Sequence, residues 1–202
     1  MRKIGPRLTD VRTEIVTAAF VASGRPEGIH DLGRFLEYVN NTALGEQIEL
    51  RTPAVRPLYR ATASLQLEAP LLIRRRDMIF ANFDGPHFTR GTSRPQMSDV
   101  GVLLMAPPFQ IQGVLSVPKG ADVTQALRFA AERFFVLNGT RVFDTEGAPL
   151  GEGERIVVNG AAVQMMSASR QHISVVAAVP GLRRDAQNVE PPAVDVPRVQ
   201  AA

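Results

Sequence analysis

The sequence predicts an α+β fold: two tandem β-rich repeats, each a small antiparallel sheet or partial barrel with one packed helix. Three observations predict it. Alternating apolar segments dominate both halves, each half holds one short capped amphipathic stretch, and the order of strands, helix and further strands recurs with similar landmarks.

In chain order, residues 1–12 read as an N-terminal arm and residues 13–84 as the first repeat. TEIVTAAFVASG has strand character. Asp31 is a good N-cap for a helix whose apolar stripe is Leu32, Phe35, Leu36 and Val39, ended by Asn40-Asn41. Residues 48–59 and 65–83 follow as extended segments. Pro53 and Pro57 argue for an edge strand or a bulge in the first of them, because proline supplies no ladder N–H. Residues 85–98, rich in Gly, Pro and small polar residues, read as the connection between repeats.

The second repeat is expected over residues 99–180. VGVLLMA is continuous enough for a central strand, and PFQIQGVLSVPKG alternates with the period of a half-buried one. Asp122 caps the clearest helix, with Val123, Ala126, Leu127, Ala130, Ala131 and Phe134 on one face. Residues 135–143 and 155–163 read as strands around DTEGAPLGEGE, Asn138-Gly139 and Asn159-Gly160 as hairpin turns, and MMSASRQHISVVAAV as one or two more strands. Residues 181–202 have no periodicity and are expected to be a disordered tail.

Three anchors align the halves. Phe20-x-x-x-Gly24 matches Phe109-x-x-x-Gly113, Asp31-Leu32-x-x-Phe35-Leu36 matches Asp122-Val123-x-x-Ala126-Leu127, and Arg76-Asp77-Met78-Ile79 matches Arg170-Gln171-His172-Ile173. The pattern of a strand ending in Phe-x-x-x-Gly, a capped helix and a late Arg-x-His-Ile or Arg-x-Met-Ile strand resembles a family of small bacterial domains of unknown function. That resemblance implies a domain type and no activity.

Composition removes several chemistries. There is no cysteine, which excludes disulfides, thiolate metal sites and cysteine nucleophiles. The formal charge is only +3, and its basic side chains are arginine except for Lys3 and Lys119, a compositional preference rather than a nucleic-acid signature. No apolar run is long enough for a membrane span and MRKIGPRLTD lacks a signal-peptide core, so a cytoplasmic location without membrane partners is expected.

Candidate site residues fall into two groups. Arg74 and Arg76, with Arg51, Arg56 and Arg60 upstream, form an arginine-rich edge suited to phosphates, nucleic acid or an acidic partner, although a charged strand edge that blocks aggregation explains the same residues more simply. Arg75 faces opposite to its two neighbours in an extended strand. His172, set among polar residues beside Arg170 and near Met165 and Met166, is the candidate for a small-molecule or catalytic pocket; His30 and His87 lie beside a helix cap and in the connection. No residue pattern implies a metal or cofactor. The function expected is a non-enzymatic binding or scaffolding module engaging a protein partner or a second copy, with nucleic-acid binding and a pocket at His172 as alternatives.

Overall fold

The computed structural model describes residues 11–59, 64–84 and 96–169. The strands are Arg12–Val16 (β1), Phe20–Pro26 (β2), Gln47–Pro57 (β3), Leu65–Gln66 (β4), Leu71–Arg74 (β5), Phe80–Asp84 (β6), Met97–Ala106 (β7), Phe109–Pro118 (β8), Phe134–Asp144 (β9), Pro149–Asn159 (β10) and Met165–Ser169 (β11). Two helices, Leu32–Asn40 (α1) and Val123–Ala131 (α2), join β2 to β3 and β8 to β9. Both carry the expected aspartate caps: Asp31 accepts from the Arg34 amide, and Asp122 from the amides of Thr124 and Gln125.

All eleven strands belong to one antiparallel sheet, in the order β11-β7-β8-β9-β10-β6-β1-β2-β3-β4, with β5 beside β4 on the outer side of β3. The expectation of an α+β fold of two repeats, each a small antiparallel sheet or partial barrel with one packed helix, is therefore corrected. The protein is β-rich, its helices are only nine residues each, and the described residues fall in one compact unit. The reason lies at the β6–β10 junction, where Val158 pairs with Phe80 and Val157 with Ala81. These side chains are apolar on both faces, so two separate sheets would each expose a sticky edge that pairing removes.

The core divides accordingly. Ile15, Ala22, Ile48, Leu50, Ala81 and Val157 pack with Leu32, Phe35 and Val39 of α1. Val16, Val21, Phe80, Ile111, Leu137 and Val158 form a second cluster, against which Val123, Ala126, Leu127 and Ala130 of α2 pack. Consecutive residues such as Ile15 and Val16, or Val157 and Val158, belong to different clusters. Since successive side chains on a strand point to opposite faces, the two helices cover opposite faces of the sheet and its central strands are buried on both.

Connectivity recurs along this sheet. β1-β2-α1-β3-β4-β5, in which β4 has no counterpart in the other half, leads through a 3-10 turn at Arg75–Asp77 to β6, which pairs back with β1; β7-β8-α2-β9-β10 leads through a 3-10 turn at Gly160–Ala162 to β11, which pairs back with β7. The Phe/Gly anchors coincide with a β-bulge in each half, between Ser23 and Arg25 and between Gln112 and Val114. A Cβ on Gly24 would lie 3.0 Å from the Arg51 carbonyl oxygen, and one on Gly113 2.9 Å from the Thr140 methyl, so close strand approach demands glycine at both. Pro53 sits in the first of these bulges, as expected, but β3 is not an edge, having β2 on one side and β4 and β5 on the other.

The third anchor does not hold. The register of β3 on β5 (Ile48 opposite Ile73) and of β9 on β10 (Phe135 opposite Val158) makes Arg75–Asp77 the counterpart of Gly160–Ala162 rather than of the Arg170 segment. Both Asn-Gly pairs are also reassigned. Asn138-Gly139 lies within β9, while Asn159 ends β10 and caps the 3-10 turn by accepting from the Ala161 amide at 3.1 Å. Phe134, expected on the helix stripe, begins β9. The proposed connection, apart from residues 96–98, and the tail lie outside the described residues.

Candidate binding groove

On β1 the alternation Arg12, Glu14, Val16 faces away from α1 while Thr13 and Ile15 face it, buried. Val16 is covered by the second cluster, which ends there; Glu14 and Arg12 lie beyond it and face open space. Cross-strand pairing extends this into a row. Ile156 on β10 is opposite Asn82 on β6, Asn82 opposite Glu14, Glu14 opposite Ser23 on β2, Ser23 opposite Ala54 on β3, and Ala54 opposite Gln66 on β4. With strands about 4.8 Å apart, the stretch from Asn82 to Gln66 spans roughly 19 Å.

This row is the floor of a cleft of about 620 Å³, walled by Arg12, Arg56 and Arg155 together with Glu154. An outward face of an antiparallel sheet is polar for solvation alone. Two features set this one apart. It is concave, and Arg12, Arg56 and Arg155 have no carboxylate partner among the described residues, whereas Arg34, Arg51 and Arg141 pair with Glu37, Glu27 and Glu152. Glu14, also without an ion pair there, places one negative charge in the same cleft.

The cleft opens into an annex of about 200 Å³ that shares Glu14, Arg56 and Asn82 and is lined on its far side by Leu58, Phe80, Phe109 and Leu150. Leu150 is carried by the β9–β10 hairpin, whose turn is fixed by Asp144: its carboxylate accepts from the amides of Glu146 at 2.9 Å and Ala148 at 2.8 Å. The whole is thus a charged groove ending in an apolar recess, within the size range of small-ligand sites.

The predicted site residues are placed as follows. Arg56 lines the groove and the annex. Arg74 and Arg76 do not join it. They border a separate hollow of about 390 Å³ at the end of α1, together with Arg133, Glu46 and Glu132. Arg74 is paired with Gln47, nine residues from Arg56 along β3, or roughly 30 Å. Among the described residues no single arginine-rich edge is formed, because Arg56 lies at one end of β3 and Arg74 is paired to the other. Arg75 does face away from its neighbours, but inside a 3-10 turn and not an extended strand. It is buried, its Nη1 donates to the carbonyl oxygens of Asn41 at 2.7 Å and Val39 at 3.4 Å, and its guanidinium lies 4.9 Å from the Tyr38 ring centroid. Arg60, Arg170 and His172 lie outside the described residues. Met165 and Met166 lie on β11, away from the groove.

Sequence reasoning missed Arg12, Glu14, Ser23, Asn82 and Arg155. The one local signal was the alternation in RTEIV, in which charged side chains interrupt an otherwise buried strand. Among the described residues no three His, Asp or Glu side chains are grouped to hold a metal, and no helix is long and apolar enough to cross a membrane. Comparison with protein-family models, with curated proteins and with solved structures finds no match.

Proposed function

We propose that this chain is a non-enzymatic, cytoplasmic binding module whose sheet face takes an anionic ligand with an apolar portion. The observation that carries the reading is a concave polar floor flanked by Arg12 and Arg56 and bordered at β10 by Arg155, all without carboxylate partners among the described residues, that leads into an apolar annex. A carboxylate or phosphate group is the complement of such a set, since guanidinium donors form paired hydrogen bonds with either. Asn82, Ser23 and Gln66 supply neutral donors along the floor, and Glu14 favours a ligand that also carries a donor or a positive group.

The reading is tested by titrating isotopically labelled protein with inorganic phosphate and with a short oligoglutamate peptide bearing one terminal leucine. Saturable amide shifts centred on Ser23, Asn82 and Gln66, weakened by salt and lost in an Arg12→Gln, Arg56→Gln variant, are expected. Shifts spread evenly over the arginines of the whole surface, or unchanged in that variant, would refute it.

A further inference from the structure

The sheet contains, at its centre, a specification for the edges at its ends. Inside the chain the two halves join where β10, the partner of β9, pairs with β6, the partner of β1. The strands in the corresponding places are β5, the partner of β3, and β11, the partner of β7. Among the described residues nothing pairs with the outer side of either.

The residue correspondence is fixed by register. Leu72 is opposite Glu49 as Val157 is opposite Val136, and Ile73 is opposite Ile48 as Val158 is opposite Phe135. At the other edge, Met165 and Met166 stand to Met105 and Leu104 as Phe80 and Ala81 stand to Val16 and Ile15. At the internal junction these places are sealed: Val157 is 0% and Phe80 7% exposed. At the free edges their counterparts are open, Leu72 at 56% and Met165 at 51%. Between Pro70 and the Arg74 that ends β5, Leu71-Leu72-Ile73 carries no charge or proline, and neither does Met165-Met166-Ser167-Ala168; such residues are the devices that normally blunt an edge strand.

We infer that the chain associates with a second copy of itself by antiparallel pairing of β5 of one copy with β11 of the other, in the register of the β6–β10 junction: Ile73 opposite Met165, Leu72 opposite Met166, Leu71 opposite Ser167. The occupant is a second copy because each edge carries the apolar side chains that the other needs, and a complete example of the same pairing is already present within the chain. The contact is heterologous, so an assembly that closes on itself leaves neither β5 nor β11 unpaired, and an open one leaves one of each. This inference is independent of the groove.

The absence of natural cysteine makes the test clean. Cysteines facing each other across an antiparallel pair lie within disulfide reach. A Leu72→Cys, Met166→Cys variant is expected to form intermolecular disulfides under mild oxidation, whereas Leu72→Cys, Ala168→Cys, two residues out of register, is not. In sedimentation equilibrium the unmodified chain is expected to exceed the monomer mass at micromolar concentration, and Leu72→Lys or Met165→Lys to return it to a folded monomer. A monomeric unmodified chain at 100 µM or so, association unchanged by both lysines, or equal cross-linking in the two cysteine variants would each overturn the inference.

Discussion

Arg75 and Gly160 hold the same place in the two halves of the sheet and meet the end of a helix in opposite ways. Each begins a 3-10 turn, and each donates its amide to the carbonyl oxygen of the residue just before the strand that the preceding strand pairs with, Arg75 to Glu46 before β3 at 2.8 Å and Gly160 to Arg133 before β9 at 2.9 Å. In the first half the Arg75 side chain reaches the carbonyl oxygens of Val39 and Asn41 at the end of α1. In the second, the helix end comes down onto the Gly160 backbone itself, and a Cβ there would overlap the Ala130 carbonyl oxygen and lie 2.7 Å from that of Arg133. Val39 and Ala130 are the eighth residues of their helices, so one junction is filled by a long side chain and the other by direct contact.

Gly160→Ala is therefore expected to be among the most damaging single-methyl changes in the chain. The atoms it meets are helix backbone, which cannot swing aside as a side chain would. A loss of about 3 kcal/mol, at the upper end for overpacking, should be measured by urea unfolding. A loss below 1 kcal/mol or so would mean that α2 moves freely off the sheet.

Arg75 offers the complementary test. It is 7% exposed, its Nε and Nη2 find no hydrogen-bond partner among the described residues, and its charge is compensated by helix-end carbonyls and the Tyr38 ring instead of a carboxylate. Arg75→Ala removes both the donors and the packing and is expected to cost about 3 kcal/mol. Arg75→Met keeps the packing and removes a poorly paired buried charge, so it should cost roughly 1 kcal/mol. The reverse order in urea unfolding would show that the charge matters more than the filling of the gap.

The two bulges give a reciprocal pair. Thr52 and Gly139 are counterparts and both adopt positive φ, 46° and 52°. A β-branched residue is strained there by about 1–2 kcal/mol, partly offset by the roughly 0.5–1 kcal/mol of chain entropy that glycine loses on folding. Thr52→Gly is thus expected to stabilise by about 0.5 kcal/mol, and Gly139→Thr to destabilise by about 1 kcal/mol. Both positions are exposed and no atom lies within 4 Å of a Cβ at Gly139, so thermal unfolding of the two variants reads backbone strain with little else.

These positions also mark what was legible in the sequence. Aspartate caps and the Phe/Gly strand landmarks were readable because each is a local requirement met by the same residue type twice. Thr52 and Gly139, or Arg75 and Gly160, meet one requirement with unlike residues, so letter matching passed over them and aligned Arg76 with Arg170 instead. The single sheet depends on β6 meeting β10 across some seventy residues of chain. Val157 and Val158 announce a strand buried on both faces, but nothing near them names its partner. The groove was invisible for a related reason: Glu14, Ser23 and Asn82 become neighbours only when β1 pairs with β2 on one side and with the distant β6 on the other.

The same junction makes a prediction about cooperativity. Asn40, at the end of α1, donates to the Phe134 carbonyl oxygen and accepts from the Phe134 amide, each at 2.9 Å, and so holds the start of β9. Asn159, buried at the end of β10, donates to the Met78 carbonyl oxygen at 2.9 Å, and its own amide donates to the Ile79 carbonyl oxygen at 2.9 Å. Two asparagines thus stitch across the β6–β10 seam, and each →Ala change is expected to cost about 2 kcal/mol by stranding buried partners. Neither loss should be confined to one half. The tyrosines, Tyr38 and Tyr59, report the first half, and a Phe129→Trp substitution on the exposed side of α2 reports the second. Urea curves from the two probes are expected to superimpose in the parent and to shift together in Asn40→Ala and Asn159→Ala, because central strands that serve both cores cannot lose one and keep the other. Separate transitions would mean that each half holds its own helix and sheet without the seam, and that the junction is a contact between folded units and not part of either core.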